Sequence, residues 1–382
     1  MYMETTRSNH TLTTLMDQKI KTILDQFPIP EKLVDAKPIG NGMINDTLAV
    51  TVSTPSGTTE TKYILQRINN NVFEDVDTLQ SNIFKVTEHI RKKLQAEGDK
   101  DVDRHVLTFF RTKDGAPYYR YEDGTYWRLS LFIKGSKTHE TVSPELSREA
   151  GKAFGAFQSR LADLPGDALG ETIPRFHDMA FRLEELREAV REDKAGRVKE
   201  VQDLLDEIEK RADAMLIQEK LHAEGKLPKR INHLDTKVNN ILFDADSDKV
   251  LCVIDLDTVM PGYVLSDIGD FIRTAVNTGA EDEEDLSKIG VDMNIFHAYT
   301  EGYMSGAKDF LTPTEIKLLP YGGRLLTYMQ TVRFLTDYLN GDVYYKTNKP
   351  KHNLIRTKAQ FEFLRRLEEK QEEMDGFMQK WL

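Results

Sequence analysis

The chain has 382 residues, which is long enough for two domains with well-buried cores. Its 52 basic and 63 acidic residues give a net charge of −11, which argues against general binding of nucleic acids. Residues 1–18 contain no apolar segment of signal-peptide length, and no later segment reaches the length of a membrane span. Cys252 is the only cysteine, so disulfides and thiolate metal clusters within one chain are excluded. We therefore expect a soluble cytoplasmic protein without nucleic-acid or membrane partners.

The sequence pattern of residues 1–134 predicts a small sheet with one main helix. Segments rich in β-branched and aromatic residues lie between turn signals and predict strands at 47–52, 62–68, 106–110 and 126–132. A helix is predicted over 78–97, because apolar residues recur there every three or four positions. Those apolar positions are Leu79, Ile83, Val86, Ile90 and Leu94.

Residues 135–382 have a mostly helical pattern, and the change of texture places a domain boundary and hinge near Gly135. Amphipathic periodicity predicts helices over 144–161, 179–195, 198–219, 286–305, 313–339 and 353–381. The strands predicted in this part lie at 241–243 and 250–254, where they flank turn residues as a hairpin. The sequence thus predicts two domains, 1–134 and 135–382.

The most informative segment runs from His233 to Asn240 and is followed by an apolar run that ends at Asp255. A phosphoryl-transfer enzyme needs a carboxylate that orients the attacking hydroxyl and accepts its proton, and oxygen ligands that hold Mg²⁺ against ATP phosphates. Asp235 suits the first role, and Asn240 and Asp255 suit the second. Lys237 is predicted to reach the transferred phosphate as a point charge. These residue types at this spacing predict a kinase.

Three neighbouring residues have less specific interpretations. His233 is predicted to hold the loop backbone rather than a metal, since no second histidine lies at ligand spacing. Asp257 shares the face of Asp255, so it is a candidate for the acceptor or a second metal ion, with the cap of the following turn as the alternative. Asp267 is predicted either to cap a helix that begins near Ile268 or to take part in catalysis.

Gly40, Asn41 and Gly42 precede the first predicted strand, where glycines allow the backbone to approach phosphate groups closely. Asn45 replaces the third glycine of a G-x-G-x-x-G pattern, so an ordinary hairpin turn explains this fragment equally well when it is taken alone. Its place before a strand of the small sheet favours nucleotide binding.

The order of these parts resembles the aminoglycoside phosphotransferase and choline kinase-like family of the protein-kinase-like fold, from about residue 39 to about residue 366. The segments that carry the likeness are YILQ at 63–66, DTKVNNIL at 235–242, IDLDTVMPG at 254–262, DIGD at 267–270, RFLTDYL at 333–339 and HNLIRT at 352–357. Several of them are most similar to those of N-acetylhexosamine 1-kinases. The resemblance implies an α+β, bilobal fold. A small N-terminal antiparallel-sheet lobe with one main helix would bind nucleotide, and a larger helical C-terminal lobe would carry the catalytic loop and acceptor site.

The same resemblance implies roles for the matching residues. Asp235 would be the catalytic base, Asn240 and Asp255 would bind Mg²⁺, and ATP would contact the hinge near Leu131 and Ile133. The acceptor would be N-acetylglucosamine or N-acetylgalactosamine, phosphorylated in line on its anomeric hydroxyl without a phosphoenzyme, by a monomer or weak homo-oligomer. Residues assigned to the acceptor are Asp257, Arg333, Asp337 and Tyr344. Residues assigned to the nucleotide also include Gly40, Asn41, Gly42 and Gln66. Ordinary helix positions explain Arg333, Asp337 and Tyr344 equally well.

Two positions depart from the family pattern. Leu234 stands where the hexosamine kinase has Asn, and Gln66 stands where kinases of this fold normally carry a phosphate-binding lysine on the third strand. Arg67 is adjacent, but strand alternation points it to the opposite face. Two alternatives therefore stay open: a kinase of the same fold for an aminoglycoside, choline-like or amino-alcohol acceptor, and a catalytically silent kinase-like binding protein.

Overall fold

The computed structural model of the protein describes residues 18–29, 32–40, 44–54, 57 and 60–382. The chain divides into two units, Met1–Ser136 and Lys137–Leu382, and each has its own hydrophobic core. Among the described residues, no helix is both long and apolar enough to cross a membrane.

The first unit contains a six-stranded antiparallel sheet and one long helix. Its strands are β1 (Lys32–Pro38), β2 (Asp46–Ser53), β3 (Glu60–Ile68), β4 (Phe109–Phe110), β5 (Tyr119–Arg120) and β6 (Tyr126–Leu131), and its helices are α1 (Val76–Ala96) and the single turn α2 (Val102–His105). The sheet order is β1-β2-β3-β6-β4, and β5 also pairs with β6. Alternation sends Leu48, Leu65 and Leu129 to one face of the sheet, where they form a core with the helical residues 18–24.

The predicted strands 47–52, 62–68 and 126–132 and the predicted helix 78–97 are confirmed with small shifts at their ends. The strand predicted at 106–110 is confirmed only at Phe109–Phe110, because Val102–His105 forms a helical turn that ends at Val106. Strands β1 and β5 were not predicted, since their polar and charged residues hide the alternation.

The second unit is mainly helical. Its helices are α3 (Pro144–Leu161), α4 (Met179–Glu192), α5 (Gln202–Met215), α6 (Ile217–Ala223), α7 (Val264–Phe271), α8 (Met293–Ala307), α9 (Pro313–Leu339), α10 (His352–Glu369) and α11 (Gln371–Met378). The strands that follow β6 in the chain are β7 (Ser136–Lys137), β8 (Arg230–Asn232), β9 (Ile241–Asp244), β10 (Val250–Val253) and β11 (Met260–Gly262). Strand β9 pairs with β10 as predicted, and β8 pairs with β11, a contact that the sequence did not predict.

The helices predicted at 144–161 and 313–339 are confirmed, and the one at 179–195 ends at Glu192. The prediction of a single helix over 198–219 is wrong, because the helix is interrupted at Leu216, which lies between α5 and α6. A single helix over 353–381 is likewise wrong, since α10 ends before Lys370. The prediction that a helix begins at residue 286 is wrong because Val291 bridges Asn277, so that α8 begins only after Asp292.

Helices α3 and α8 pack so closely that their contact requires glycine. A Cβ atom on Gly302 would lie 2.0 Å from a carbonyl oxygen of α3, and one on Gly151 would lie 2.2 Å from a carbonyl oxygen of α8. The close approach brings Gln158 of α3 to the hydroxyl of Tyr303 on α8, which donates a hydrogen bond to it. This helix pair supports the catalytic loop described below.

The variant Gly302→Ala is therefore expected to destabilise the protein by about 3 kcal/mol or more, because the new methyl group would overlap backbone that cannot move alone. Chemical denaturation monitored by circular dichroism measures this loss. The matched control is Gly376→Ala in α11, where no atom lies within 4 Å of the added Cβ. That variant should be stabilised by up to about 1 kcal/mol through helix propensity. Equal stability of the two variants would contradict the packing argument.

Candidate functional site

The predicted catalytic loop leaves strand β8 after Asn232 and leads through the 3₁₀ turn Val238–Asn240 into strand β9. Leu234 has φ 64°, a left-handed backbone conformation that is costly for a residue with a Cβ. Such a conformation persists only where its surroundings impose it. The loop is thus held in place by contacts outside itself.

The carboxylate of Asp267 in helix α7 supplies those contacts. It accepts hydrogen bonds from the backbone N–H of His233 at 2.9 Å and of Leu234 at 2.7 Å. The side-chain amide of Gln158 donates to it at 2.6 Å, and the hydroxyl of Thr236 donates to its main-chain carbonyl. Burial raises the pKa of Asp267 to about 6, although these donors and His233 act in the opposite direction. The prediction that Asp267 caps a helix starting near Ile268 is wrong, because α7 begins at Val264.

His233 is fully buried and holds backbone, as predicted. Its Nε2–H donates to the carbonyl of Ile254 at 2.9 Å, and its Nδ1 accepts from the N–H of Asp235 at 3.3 Å. The edge contacts of its ring with Phe154 and Phe157 fix the plane of the imidazole. The histidine therefore ties the catalytic loop to the end of strand β10.

Asp235 lies between a cation and an amide. The Lys237 Nζ is 2.9 Å from Asp235 Oδ1, and the Asn240 side-chain Nδ2 donates to Asp235 Oδ2 at 2.9 Å. Burial acts to raise the pKa of this carboxyl, but Lys237, His233 and Asn240 outweigh it, so that the pKa of Asp235 is lowered. The pKa of Lys237 is raised, mainly by the charge of Asp235. At neutral pH the pair is thus a carboxylate and an ammonium ion.

The two predicted Mg²⁺ ligands lie at adjoining ends of the β9–β10 hairpin. The main-chain carbonyl of Asn240 accepts the N–H of Ile254 at 2.9 Å, which places Asn240 beside Asp255. Asn240 uses its amide nitrogen on Asp235, so its side-chain oxygen is the atom offered to a cation. Asp255 has φ 58°, and the following Leu256–Thr258 turn carries the buried Asp257.

These residues fit magnesium. Among the described residues, no group of three or more His, Cys, Asp and Glu side chains could hold a metal ion. An amide oxygen and one carboxylate leave most coordination positions to phosphate and water, which is the arrangement Mg²⁺ favours. Zinc or another ion that requires a complete set of protein ligands fits these residues poorly.

A cationic and aromatic cluster, formed by Phe176, His177, Arg333 and Tyr345, lies in the same unit. The guanidinium carbon of Arg333 is 5.4 Å from the Phe176 ring centroid and 5.7 Å from that of Tyr345, and its Nη1 donates to Gln330 at 3.2 Å. Phe176 and His177 stack at 4.4 Å. The positive charge of this cluster is therefore the Arg333 guanidinium, whose neighbours are two aromatic rings and the neutral side-chain amide of Gln330.

His177 connects this cluster electrostatically with the catalytic carboxylate. Burial, followed by the charges of Arg333, Arg182 and Arg273, lowers the pKa of His177 to about 3, while Asp235 acts in the opposite direction. The imidazole is neutral at physiological pH, and its Nδ1 is buried and has no hydrogen-bond partner among the described residues. A buried unpaired nitrogen of this kind is available to a ligand hydroxyl or amide.

Two further residues predicted to contact the acceptor, Asp337 and Tyr344, are joined by a hydrogen bond beside this cluster. The buried carboxylate of Asp337 accepts the backbone N–H groups of Val343, Tyr344 and Tyr345 at 2.8–3.0 Å. Asn353 donates to the same carboxylate at 2.8 Å. Tyr344 is exposed and its ring contacts Tyr345 at 4.8 Å. Asp337 thus fixes the position of Tyr345, which packs beside Arg333.

A cavity of about 160 Å³ adjoins this cluster, because Phe176 and His177 line it together with Leu234. Its lining includes Phe176, His177, Asp178, Glu219, Leu234 and Tyr263. Burial raises the pKa of Glu219, and burial followed by the charges of Glu219 and Asp178 raises the pKa of Tyr263 to about 12. The lining thus carries the three carboxylates Glu171, Asp178 and Glu219 and the two cations Arg175 and Lys229, and Arg175 pairs with Asp178 at 2.7 Å.

The first unit carries the residues predicted to bind nucleotide. Gln66 lies in the middle of the sheet on strand β3, Leu131 ends strand β6, and Ile133 is buried just beyond it. Gly40 has φ 75°, a left-handed conformation that glycine adopts without steric cost. The predicted contacts of Asn41 and Gly42 lie outside the described residues.

Sequence reasoning did not identify His177 or Gln158 as part of the site. Neither residue belongs to a motif, and each reaches the catalytic loop from a distant segment. The 109 positions between Gln158 and Asp267 show why no local pattern indicates their contact.

Comparison with known proteins agrees with this arrangement. Residues 35–291, well over half of the chain, match the family model described as the phosphotransferase enzyme family, APH. A microcompartment-associated aminopropanol kinase is 15% identical, with a TM-score of 0.55 over 96% of this chain and 99% of that one. A spectinomycin phosphotransferase bound to ADP and spectinomycin is 13% identical, with a TM-score of 0.56 over 92% and 98%.

A third structure, choline kinase from Cryptosporidium parvum, is 12% identical, with a TM-score of 0.51 over 91% and 92% of the two chains. Identities this low establish a shared fold and leave the substrate open. The antiparallel sheet followed by a helical unit is the kinase-like fold of these enzymes. On the family match over residues 35–291, the chain belongs to the APH phosphotransferase enzyme family and is a small-molecule phosphotransferase by family.

Proposed function

We propose that the protein is an ATP- and Mg²⁺-dependent kinase that phosphorylates the anomeric hydroxyl of N-acetylglucosamine or N-acetylgalactosamine. Residues 1–134 would bind the nucleotide, and residues 135–382 would bind the acceptor and catalyse the transfer. The observation that carries the transfer chemistry is the ionised Asp235 held between Lys237 and Asn240, with Asp255 at the adjoining hairpin end.

In this mechanism Asp235 accepts a hydrogen bond from the acceptor hydroxyl and takes its proton as the new P–O bond forms. The bond between the γ-phosphorus and the bridging oxygen breaks in the same step, and ADP leaves. Because the pKa of Asp235 is lowered, the carboxylate contributes mainly by orienting the hydroxyl, and the proton moves late. Lys237 keeps Asp235 ionised and adds positive charge beside the transferred group.

Asn240 and Asp255 are the metal ligands in this proposal. Bound Mg²⁺ would neutralise phosphate charge and hold the ATP phosphates in place. The side-chain amide of Asn240 would then serve two purposes, since its nitrogen orients Asp235 and its oxygen faces the cation.

The Arg333 cluster supports a neutral acceptor. Arg182, Arg273 and Arg333 all disfavour protonation of His177, so the same field disfavours an ammonium group on a ligand there. An N-acetylhexosamine offers hydroxyl and amide groups to the neutral imidazole and carbonyl oxygen to a guanidinium, and the rings of Phe176 and Tyr345 suit a sugar face. Asp337 would act as a positioning residue for Tyr345, and Asp257 would contact the acceptor beside Asp255.

A second candidate acceptor is a small amine or amino alcohol. The carboxylates of Glu171 and Glu219, which lie with the ring of Tyr263 in the lining of the cavity beside Leu234, support this candidate. Two of the similar solved structures are named as an aminopropanol kinase and a choline kinase.

A matched pair of acceptors distinguishes the two candidates. N-acetylglucosamine and glucosamine differ in one acetyl group, and only glucosamine carries an ammonium ion. ADP release with ATP and Mg²⁺ should be at least about tenfold faster, in kcat/KM, with the N-acetylated sugar. The product should be an alkali-stable, acid-labile sugar phosphate. Preference for glucosamine, choline or aminopropanol would establish the amine candidate, and no turnover with any sugar would exclude the hexosamine.

The variant Arg333→Met is expected to raise the KM for N-acetylhexosamine by about 10- to 100-fold, because a charged hydrogen-bond donor to the acceptor is lost. The KM for ATP should stay within about twofold. Steady-state kinetics with each substrate varied in turn measure both constants. Arg365→Met is the control, since Arg365 is exposed on α10 and pairs with Glu362 at 3.0 Å. Equal changes in both KM values would argue against a role for Arg333 in acceptor binding.

A further inference from the structure

A buried ion pair lies one helical turn beyond Asp267 in α7. Asp270 is 5% exposed, and its Oδ1 atom accepts a hydrogen bond from Nη2 of Arg273 at 3.0 Å. Nη1 of Arg273 donates to Glu281 at 2.9 Å, so the guanidinium is held between two carboxylates. Arg273 belongs to a π-helical segment, Ile272–Val276, and short π-helical segments frequently occur at functional sites. The position of Asp270 is therefore fixed by its pair with Arg273.

The second oxygen of Asp270 lacks what the first one has. Its Oδ2 atom is buried and has no hydrogen-bond partner among the described residues. Glu362 in α10 is a useful contrast, because it is also buried and also pairs at 3.0 Å with an arginine three positions on, Arg365. The other oxygen of Glu362 pairs with Arg366 at 2.9 Å. A buried carboxylate oxygen calls for a donor, so the Oδ2 atom of Asp270 is a candidate for a ligand contact.

Helix α7 places Asp270 beside the catalytic loop. The hydroxyl of Thr236 donates to the main-chain carbonyl of Asp267, so the turn of helix that leads to Asp270 packs against the residue before Lys237. Asp235 raises the pKa of Lys237 most, burial lowers it, and Asp270 raises it again. The charge of Asp270 thus acts on the loop that carries the catalytic residues.

The acidic segment 281–285 joins the ion pair to the loop between α9 and α10. Its first residue holds Arg273, and the next one, Asp282, lies 3.4 Å from Nζ of Lys349 in that loop. The same loop carries Tyr345, whose ring lies beside the guanidinium of Arg333. This series of contacts leads from the catalytic loop to the cluster assigned to the acceptor.

The charges of the ion pair act in both directions. Burial, followed by the charges of three arginines that include Arg273, lowers the pKa of His177. Arg273 therefore acts on His177 as Asp270 acts on Lys237. The pair lies close both to the residues assigned to the acceptor and to the loop assigned to phosphate transfer.

We propose that Oδ2 of Asp270 accepts a hydrogen bond from a hydroxyl of the acceptor other than the one that is phosphorylated, with Arg273 and Glu281 as positioning residues. The inference rests on the proposed function and deepens it by adding a residue that determines specificity. The ligand class is a neutral polyhydroxylated molecule. Since Arg273 already balances the charge of Asp270, a neutral O–H donor suits the remaining oxygen better than a second cation.

Binding of N-acetylglucosamine to the wild type and to Asp270→Asn, measured by calorimetry in the presence of ADP, tests the proposal. The variant keeps the side-chain shape and an oxygen for Arg273, but an amide nitrogen replaces the other oxygen. Its affinity for the sugar should fall by about 10- to 100-fold, while the KM for ATP stays within about twofold. Glu362→Gln is the matched control and should leave both constants unchanged.

Sugar analogues distinguish a direct contact from a structural role. In each analogue one ring hydroxyl is replaced by hydrogen. At least one analogue should bind the wild type about tenfold more weakly than the parent sugar, and should bind Asp270→Asn within about threefold of the parent sugar. A structural role predicts that the variant weakens the parent and every analogue by the same factor, together with a lower melting temperature. That pattern would overturn the proposal.

If Asp270→Asn does not fold, Arg273→Lys decides the question. This variant keeps a cation beside Asp270 but loses the planar fork that joins it to Glu281, so the carboxylate should move. Discrimination against the sensitive analogue should then fall by about threefold or more relative to wild type. Unchanged discrimination would overturn the proposal.

The outcomes separate this inference from the proposed function. A wild type that phosphorylates N-acetylglucosamine while Asp270→Asn binds the sugar normally would overturn the inference alone. A wild type that binds the sugar through Asp270 but transfers no phosphate to it would overturn the proposed function alone. A wild type that binds neither N-acetylhexosamine would overturn both.

Discussion

The variant Asp235→Asn is expected to lower kcat for phosphoryl transfer by about 10³-fold, with ADP affinity within about threefold of wild type. An amide cannot take the proton of the acceptor hydroxyl, and it leaves Lys237 without its ion-pair partner. The change preserves side-chain shape, so the fold should persist. A coupled ADP-release assay at saturating ATP and acceptor measures kcat, and calorimetry measures ADP binding.

The control for this variant is Asp246→Asn, which makes the same chemical change in the exposed turn between β9 and β10. It should retain wild-type kcat. An Asp235→Asn enzyme with more than about a tenth of wild-type activity would exclude Asp235 as the base. If the wild type and Asp235→Asn bind nucleotide equally and neither transfers phosphate to any acceptor, the protein is a catalytically silent member of the family.

The local part of the site could be predicted from the sequence because it is local in the chain. Asp235, Lys237 and Asn240 lie within six consecutive residues, and one loop brings their side chains together. Asp255 follows two residues after the end of β10, the second strand of the same hairpin. Spacing therefore carries most of the information about this geometry.

The support of the loop could not be predicted, because it depends on contacts between distant segments. Gln158 meets Asp267 across 109 positions, and Tyr303 meets Gln158 across 145. His177 lies in an irregular segment before α4, where no periodicity indicates burial. Such residues become visible only when the packing of α3, α7 and α8 is known.

Helix breaks were missed for a related reason. One residue, Leu216, separates α5 from α6, and Lys370 separates α10 from α11. A break this short shifts the helical period too little to change the apolar pattern on either side. The strand pair β8 and β11 was missed because three-residue strands are too short to show alternation.

Protonation of Asp267 is expected to lower kcat as the pH falls through about 6, which gives the pH–kcat profile an acid limb near that pH. Its carboxylate accepts three N–H donors, two of them from His233 and Leu234 of the catalytic loop. Protonation would turn one acceptor position into a donor and release part of the loop, which would free Leu234 from its left-handed conformation. Asp235 cannot produce this limb, because its pKa is lowered from 3.8.

The free energy of unfolding should change with pH in the direction opposite to kcat. The folded-state pKa of Asp267, about 6, is above its ordinary value of 3.8, so the folded protein holds a proton that the unfolded chain has lost between these pH values. The contribution of this group to stability is therefore complete below about pH 3.8 and is lost as the pH rises through about 6. The loss amounts to about 3 kcal/mol. At neutral pH, the ionised carboxylate thus orients the loop at a cost in folding free energy.

The variant Asp267→Asn separates these two effects. It should lower kcat by about 10²-fold and abolish the limb near pH 6, because an amide nitrogen replaces one acceptor and no longer titrates. The backbone amide of Leu234 should exchange with deuterium faster than in wild type, which reports on the loop independently of activity. Persistence of the limb in this variant would assign it to another group.

Glu315→Gln is the matched control for burial of a carboxylate. Glu315 is fully buried but pairs with Arg230 at 2.7 Å, and among the described residues it makes no hydrogen bond to the catalytic loop. Breaking that pair should destabilise the protein by about 3–5 kcal/mol. Because Asp267 is unchanged in this variant, its limb near pH 6 and the protection of the Leu234 amide in the folded state should both persist. Loss of the limb in Glu315→Gln would mean that the pH dependence reports general loosening of the fold and not the bond between Asp267 and the loop.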